Sequence, residues 1–170
     1  MATQALIMLD VMAPESPRVA RVLSNESGVQ YAAAVWGPWD VASFIQVRDI
    51  SSLIDLLDKI RDDSAYVDVT RTETWLIRPD QFDDDGEIPS GHDTGVAFVF
   101  FSTPRDVKET AKARTNRVLK ALQNLKKSPS NGSRILHAVG VLGPYDIATM
   151  VEYDNDVSLR QFVMARCKQD

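Results

Sequence analysis

The chain has 170 residues and a mass of 18.9 kDa, enough for one ordinary domain or two of about 80 residues each. With 44% hydrophobic and 25% charged residues it is a globular rather than a disordered composition. Nineteen Lys and Arg against 24 Asp and Glu give a net charge of −5, which excludes a protein that coats duplex nucleic acid through an excess of positive charge. The single cysteine, Cys167, excludes an intrachain disulfide and a multi-cysteine metal site, and suits a reducing compartment. The N-terminal apolar run has no basic segment before it and is broken by Asp10, and no stretch reaches the roughly 18 apolar residues of a membrane span. The expected location is cytoplasmic.

In chain order, Ala5–Val11 reads as a strand, and 14–25 as a helix with Val19, Val22 and Leu23 on one face. Two strands follow, Val29–Val35 and Val41–Val47, hinged at Gly37-Pro38-Trp39-Asp40. Asp49 can cap a second helix whose apolar residues are Ile50, Leu53, Ile54, Leu57 and Ile60. The β-branched run Tyr66–Ile77 closes a β-α-β-β-α-β order. Residues 83–94 are acidic and contain Gly, Pro and Ser, so they read as a linker. A strand over Gly95–Ser102 opens a second series. A helix over 104–126 follows, with Val107, Ala111, Val118, Leu122 and Leu125 as its buried stripe. Strands Ile135–Val141 and Ile147–Tyr153 come next, and a final helix starts near Asp156 with Leu159, Phe162 and Val163 inward.

The two series share a motif. Trp36-Gly37-Pro38-Trp39-Asp40-Val41-Ala42 recurs as Leu142-Gly143-Pro144-Tyr145-Asp146-Ile147-Ala148, 106 positions later. The expected organisation is a first domain over 1–82, the acidic linker over 83–94, and a second domain over 95–170. Charge divides along the same lines: 7 basic and 12 acidic residues in the first, none and 5 in the linker, 12 and 7 in the second. Each domain is expected to be α+β and ferredoxin-like, an antiparallel sheet with both helices on one face, the second lacking its last strand. The helix-free face calls for a partner surface, most simply sheet against sheet within the chain or else between chains, and the incomplete edge offers a further pairing surface, so homo-oligomerisation is expected.

The first 80 or so residues resemble the effector-binding domain of the Lrp/AsnC family. The resemblance is carried by Ser27-Gly28-Val29 before the second strand, by the Gly37-Pro38-Trp39-Asp40 turn, and by Val69-Thr70-Arg71-Thr72-Glu73-Thr74 in the closing strand. The second series is similar chiefly through Gly143-Pro144-Tyr145-Asp146, and also resembles the related dimeric α+β-barrel families. The resemblance implies sheet-to-sheet dimers and small-molecule binding near the turn, an amino acid being one candidate effector. Full regulators of that family carry an N-terminal helix-turn-helix, whereas here residue 5 already begins a strand, so direct nucleic-acid binding is not expected.

The candidate ligand-binding residues are therefore Trp36, Gly37, Trp39, Asp40, Gly143, Tyr145 and Asp146. In each turn the Gly permits positive φ, and the Asp either closes the turn on nearby N–H groups or meets a ligand ammonium. Trp36, Trp39 and Tyr145 would supply an apolar wall. His92 lies in the acidic linker, where a solvated charge run is the simpler reading than a metal site; His137 lies in a strand, as an interior histidine or, facing a cavity, a base or haem ligand. Arg105, Lys108, Lys112, Arg114, Arg117 and Lys120 suggest a solvated cationic helix face. No phosphate loop, dinucleotide fingerprint, nucleophile elbow or HExxH is present. No cofactor, metal or catalytic residue is expected. The leading expectation is a ligand-sensing or regulatory protein. The alternative is a dimeric α+β-barrel enzyme, such as a cofactor-free or haem-using monooxygenase.

Overall fold

A computed structural model of the chain describes residues 2–78, 94–103, 110–126 and 132–167. Residues 83–93 of the expected linker, His92, and the Val107 end of the expected third helix lie outside them. The chain divides into two compact units, Met1–Pro79 and Asp80–Asp170.

The first unit runs β1 (Thr3–Val11), α1 (Ser16–Ser24), β2 (Val29–Ala34), β3 (Val41–Val47), α2 (Ile50–Asp62), a single 3-10 turn (Ser64–Tyr66) and β4 (Val69–Ile77). Its strands pair antiparallel in the order β2-β3-β1-β4. Along β1 alternate residues divide by face. Ala5, Ile7, Leu9 and Val11 join Val41 and Ile45 of β3 beneath Val19, Ala20 and Leu23 of α1 and Leu53, Leu56 and Ile60 of α2. Leu6, Met8, Phe44 and Trp75 take the opposite face and are buried too.

The helix spacing in α2 fits two apolar stripes, and the sheet selects between them. Leu53, Leu56 and Ile60 face inward, with Leu57 on the shoulder. Ile50 and Ile54, expected inside, are one stripe round and about half exposed. In α1 Ala20 takes the buried place beside Val19 and Leu23, and Val22 sits at the margin. Arg18 ties α1 to the far end of the unit, donating to Glu15, to the Ala65 carbonyl and to Asp68.

The second unit contains β5 (Gly95–Phe101), α3 (Ala111–Lys126), β6 (Ser133–Leu142), β7 (Ile147–Tyr153) and α4 (Asp156–Cys167). Its strands pair antiparallel in the order β6-β7-β5. Leu119 and Leu122 of α3 lie with Ile135, Ala138, Ile147 and Val151 in one core, and Phe162 of α4 packs against it. The buried stripe of α3 is shifted from the expected one: Leu119 is fully inside, whereas Val118 and Leu125 only border the core. Arg114 is buried, so the cationic face of α3 is interrupted there; Lys112, Arg117 and Lys120 remain exposed.

Both units have the same irregularity. In β2 the register slips between Val29 and Tyr31; in β6 it slips between Ile135 and His137, 106 positions later. Each slip is a bulge, one extra residue opposite the partner strand. It brings Val29 and Ala32 to the helix side, three residues apart, and does the same for Ile135 and Ala138. The second helices also begin alike. Asp49 accepts from the Ser52 N–H at 2.9 Å, and Asn155 accepts from the Ser158 N–H at 3.0 Å.

The two caps respond differently to acid. The Ser52 N–H, then the Ser52 hydroxyl and Arg48, hold the Asp49 carboxyl down to about 2 from its ordinary 3.8. A lowered folded-state pKa stabilises above the ordinary value and is lost as pH falls through the shifted one. The protection factor of the Ser52 amide, taken relative to the intrinsic exchange rate at each pH, should fall between about pH 4 and pH 2, ahead of global unfolding, while that of Ser158 should not.

Candidate functional site

The turns that join β2 to β3 and β6 to β7 form two corners of the same construction. In the first, the Asp40 N–H donates to the Leu9 carbonyl at 2.9 Å, the Val35 N–H donates to the Asp40 carbonyl at 2.9 Å, and Asp40 Oδ2 accepts from the Val11 N–H at 2.8 Å. In the second, the Asp146 N–H donates to the Phe101 carbonyl at 3.0 Å and the Val141 N–H to the Asp146 carbonyl at 3.0 Å. Asp146 Oδ2 accepts from the Thr103 N–H at 2.8 Å and from the Thr103 hydroxyl at 2.9 Å. One aspartate thus fastens the end of the first strand of its unit to the hairpin beside it. Further along, the Ser43 hydroxyl donates to the Ile7 carbonyl at 2.9 Å, and the Thr149 hydroxyl to the Val99 carbonyl at 3.0 Å.

The aromatic residues are arranged differently at the two corners. Trp39 meets Trp75 of β4 edge to face, ring centroids 5.2 Å apart. Tyr145 stacks on Phe100 of β5 at 5.4 Å. Trp36 is fully exposed, and Leu142, 106 positions on, is half exposed. Gly37 has open space around it and no positive φ; the positive φ values belong to Gly28, at 86°, and Gly132, at 72°. The structure therefore brings Trp39 and Asp40 into one corner and Tyr145 and Asp146 into the other, with Trp36 directed to solvent.

His137 is buried at 9% exposure, opposite Met150 in the register of β6 and β7. The matching bulge of β2 puts Tyr31 opposite Phe44, and burial raises the Tyr31 phenol above its ordinary pKa. In β7 the buried Glu152 accepts from Arg134 at 2.7 Å and from the Thr94 hydroxyl at 2.9 Å. No group of three or more metal-ligating side chains occurs among the described residues, and none of their helices is long and apolar enough to cross a membrane.

Two clefts open in the first unit, and sequence reasoning indicated neither. One, of about 620 Å³, runs from Glu26, Ser27 and Gly28 across Gln46 to Asp55 and Lys59 of α2. Glu26 and Lys59 are committed to each other: Lys59 Nζ donates to Glu26 at 2.8 Å, and the Tyr66 hydroxyl donates to the same carboxylate at 3.1 Å. Burial, then Glu26, pushes the Tyr66 phenol far above its usual range, and the bond to Glu26 raises the Lys59 ammonium. The other cleft, of about 340 Å³, lies between α2 and β4 and is lined by Leu57, Ile60 and Arg61 on one side and by alternating threonines of β4 on the other. The repeated Thr in Val69–Thr74 was the available signal for it. Neither cleft includes a corner residue.

With this geometry, the fold is that of ferredoxin-like α+β proteins of the α+β-barrel kind. The chain is similar over 98% of its length to a mutant chlorite dismutase from Candidatus Nitrospira defluvii, covering 83% of that chain at 12% identity and a TM-score of 0.60. It is similar over 99% of its length to an anthrone oxidase-like protein, covering 80% of it at 15% identity and a TM-score of 0.59. A shorter likeness, over 44% of this chain and 50% of the other, is to E. coli AsnC, at 19% identity and a TM-score of 0.39. No family model and no curated protein sequence matches the chain.

The corner aspartates are expected to behave as a pair. Asp40→Ala strands the Val11 N–H and Asp146→Ala strands the Thr103 N–H, each a loss of about 1–3 kcal/mol. Urea denaturation should show a lowered midpoint for both variants, with Asp146→Ala at least as large because the Thr103 hydroxyl loses its acceptor as well.

Proposed function

We propose that the chain is a small-molecule-sensing regulatory protein made of two copies of one effector-type unit, resembling the ligand-binding domains of Lrp/AsnC regulators. The reading of two copies is supported by recurrence of the corner, the bulge, the Ser/Thr bond to the first strand and the helix cap, each 106 positions apart in β2, β3 and α2 against β6, β7 and α4. The single observation that carries the function is the pair of locked corners with an exposed apolar rim. The frame is made of main-chain bonds and one carboxylate, so it holds its shape while the side chains around it face outward.

On this reading the ligand lays its apolar part on Trp36 and Trp39 in the first corner, or beside Tyr145 in the second. Asp40 and Asp146 have already given Oδ2 to backbone N–H groups; their part is to hold the corner. Gly37 and Gly143 leave room for the ligand to approach the main chain. The effector class is an apolar or aromatic amino acid. The same exposed Trp36 and Leu142 suit contact with a second copy of the chain.

A second reading, an α+β-barrel enzyme, is favoured by the burial of His137 on β6. To take an iron the His137 ring, at 9% exposure, would first have to lose the cover that buries it, so the cofactor-free form is the one this burial favours. Oxygen uptake with an aromatic substrate, lost in His137→Ala, would distinguish such a cofactor-free oxygenase.

Calorimetric titration of the purified chain with the twenty amino acids tests the leading proposal. An apolar or aromatic member should bind, and Trp36→Ala or Trp39→Ala should weaken it about threefold to tenfold, the worth of one aromatic contact. No heat with any of the twenty removes the amino-acid version.

A further inference from the structure

The helix-facing side of the first sheet is apolar along β1 and changes character along β4. Ile7 and Leu9 on β1 are wholly buried. Their register partners on β4 are Thr74 and Thr72, which continue the same face with hydroxyls. These threonines face α2 across an open cleft, Thr74 half-buried and Thr72 exposed, on a strand face that elsewhere carries Val, Ile or Leu. They line the cleft of about 340 Å³ with Leu57 and Ile60 as its apolar part and Arg61 at its rim.

Three features give the cleft a preferred occupant. Among the described residues the Thr72 and Thr74 hydroxyls make no hydrogen bond, so they can donate to an incoming oxygen without giving up a partner. No acidic side chain lines the cleft, although residues 1–82 hold 12 acidic residues against 7 basic ones. Among the described residues the Arg61 guanidinium is paired only with Asp58, at 3.3 Å, and both of those side chains are exposed. Such pairs contribute about 0–1 kcal/mol, and a guanidinium has five N–H donors to share.

We infer that the cleft between α2 and β4 is a binding site for a small amphipathic carboxylate, distinct from the corners. The carboxylate meets Arg61 and the threonine hydroxyls, and the apolar tail rests on Leu57 and Ile60. The volume falls in the range of small-molecule pockets, roughly 300–1,000 Å³.

The test uses the full chain, labelled for amide NMR. It is titrated with hexanoate, with hexan-1-ol as a neutral tail and with inorganic phosphate as an anion without one. Hexanoate should shift the amides of residues 57–61 and 70–74 saturably, and the other two should not. The double variant Thr72→Val/Thr74→Val and the variant Arg61→Ala should each weaken hexanoate about tenfold, the scale of one hydrogen bond to a charged group. Valine suits a strand at least as well as threonine, and undisturbed amide dispersion separates lost binding from lost fold. Hexan-1-ol or phosphate binding as well as hexanoate, shifts confined to other elements, or full affinity in the double variant would each overturn the assignment.

Discussion

The structure depends on one short interaction made twice: an aspartate at a hairpin corner that grips the end of the unit's first strand. A hairpin and a strand that are distant in sequence have no local reason to stop at the same level. The Asp40 and Asp146 carboxylates fix that level, because each accepts an N–H two residues beyond the carbonyl to which its own N–H donates. With the level fixed, β1 and β3 pair in a single register, and the apolar face that both helices need is assembled from alternating residues of both strands. Slipping by one residue would turn Ile7 and Leu9 away from α1 and α2.

Much of this frame is legible in the sequence. The element order of both units follows from alternation and helical spacing, and β3 and β7 begin and end where their β-branched runs do. The recurring motif was visible because Gly, Pro and Asp are turn residues with fixed tasks and are identical at both places while the residues between them differ. The bulges were not visible, since an extra residue leaves no mark in composition; it shows only as Val29 and Ala32 sharing a face that strict alternation would deny them. The face of α2 was misjudged for a related reason. Five apolar residues satisfy two stripes, and only the sheet beneath decides that Leu56 goes in and Ile54 stays out.

The candidate site was legible in part. The corner residues were located, and the aspartates serve the turn. What sequence could not supply was the three-dimensional neighbour of each aromatic: Trp39 finds Trp75 on β4, whereas Tyr145 finds Phe100 on β5. Equivalent positions have thus taken different supports. The likeness to chlorite dismutase and to an anthrone oxidase-like protein, at 12% and 15% identity, describes the same chain path and carries no chemistry. Function in such a frame is set by side chains that the frame does not use.

The spacing of the two corners has a consequence for chain length. Their hairpins are 106 positions apart, yet Leu9 and Phe101, to which they fasten, are 92 apart. The second unit therefore holds more chain between its first strand and its corner; the clasp spans 29 residues in one and 43 in the other. Closing the larger loop costs only about 0.3 kcal/mol more, because loop entropy grows with the logarithm of length. The stretch between the first strand and the hairpin is thus where added chain costs least, since the same clasp closes at both lengths.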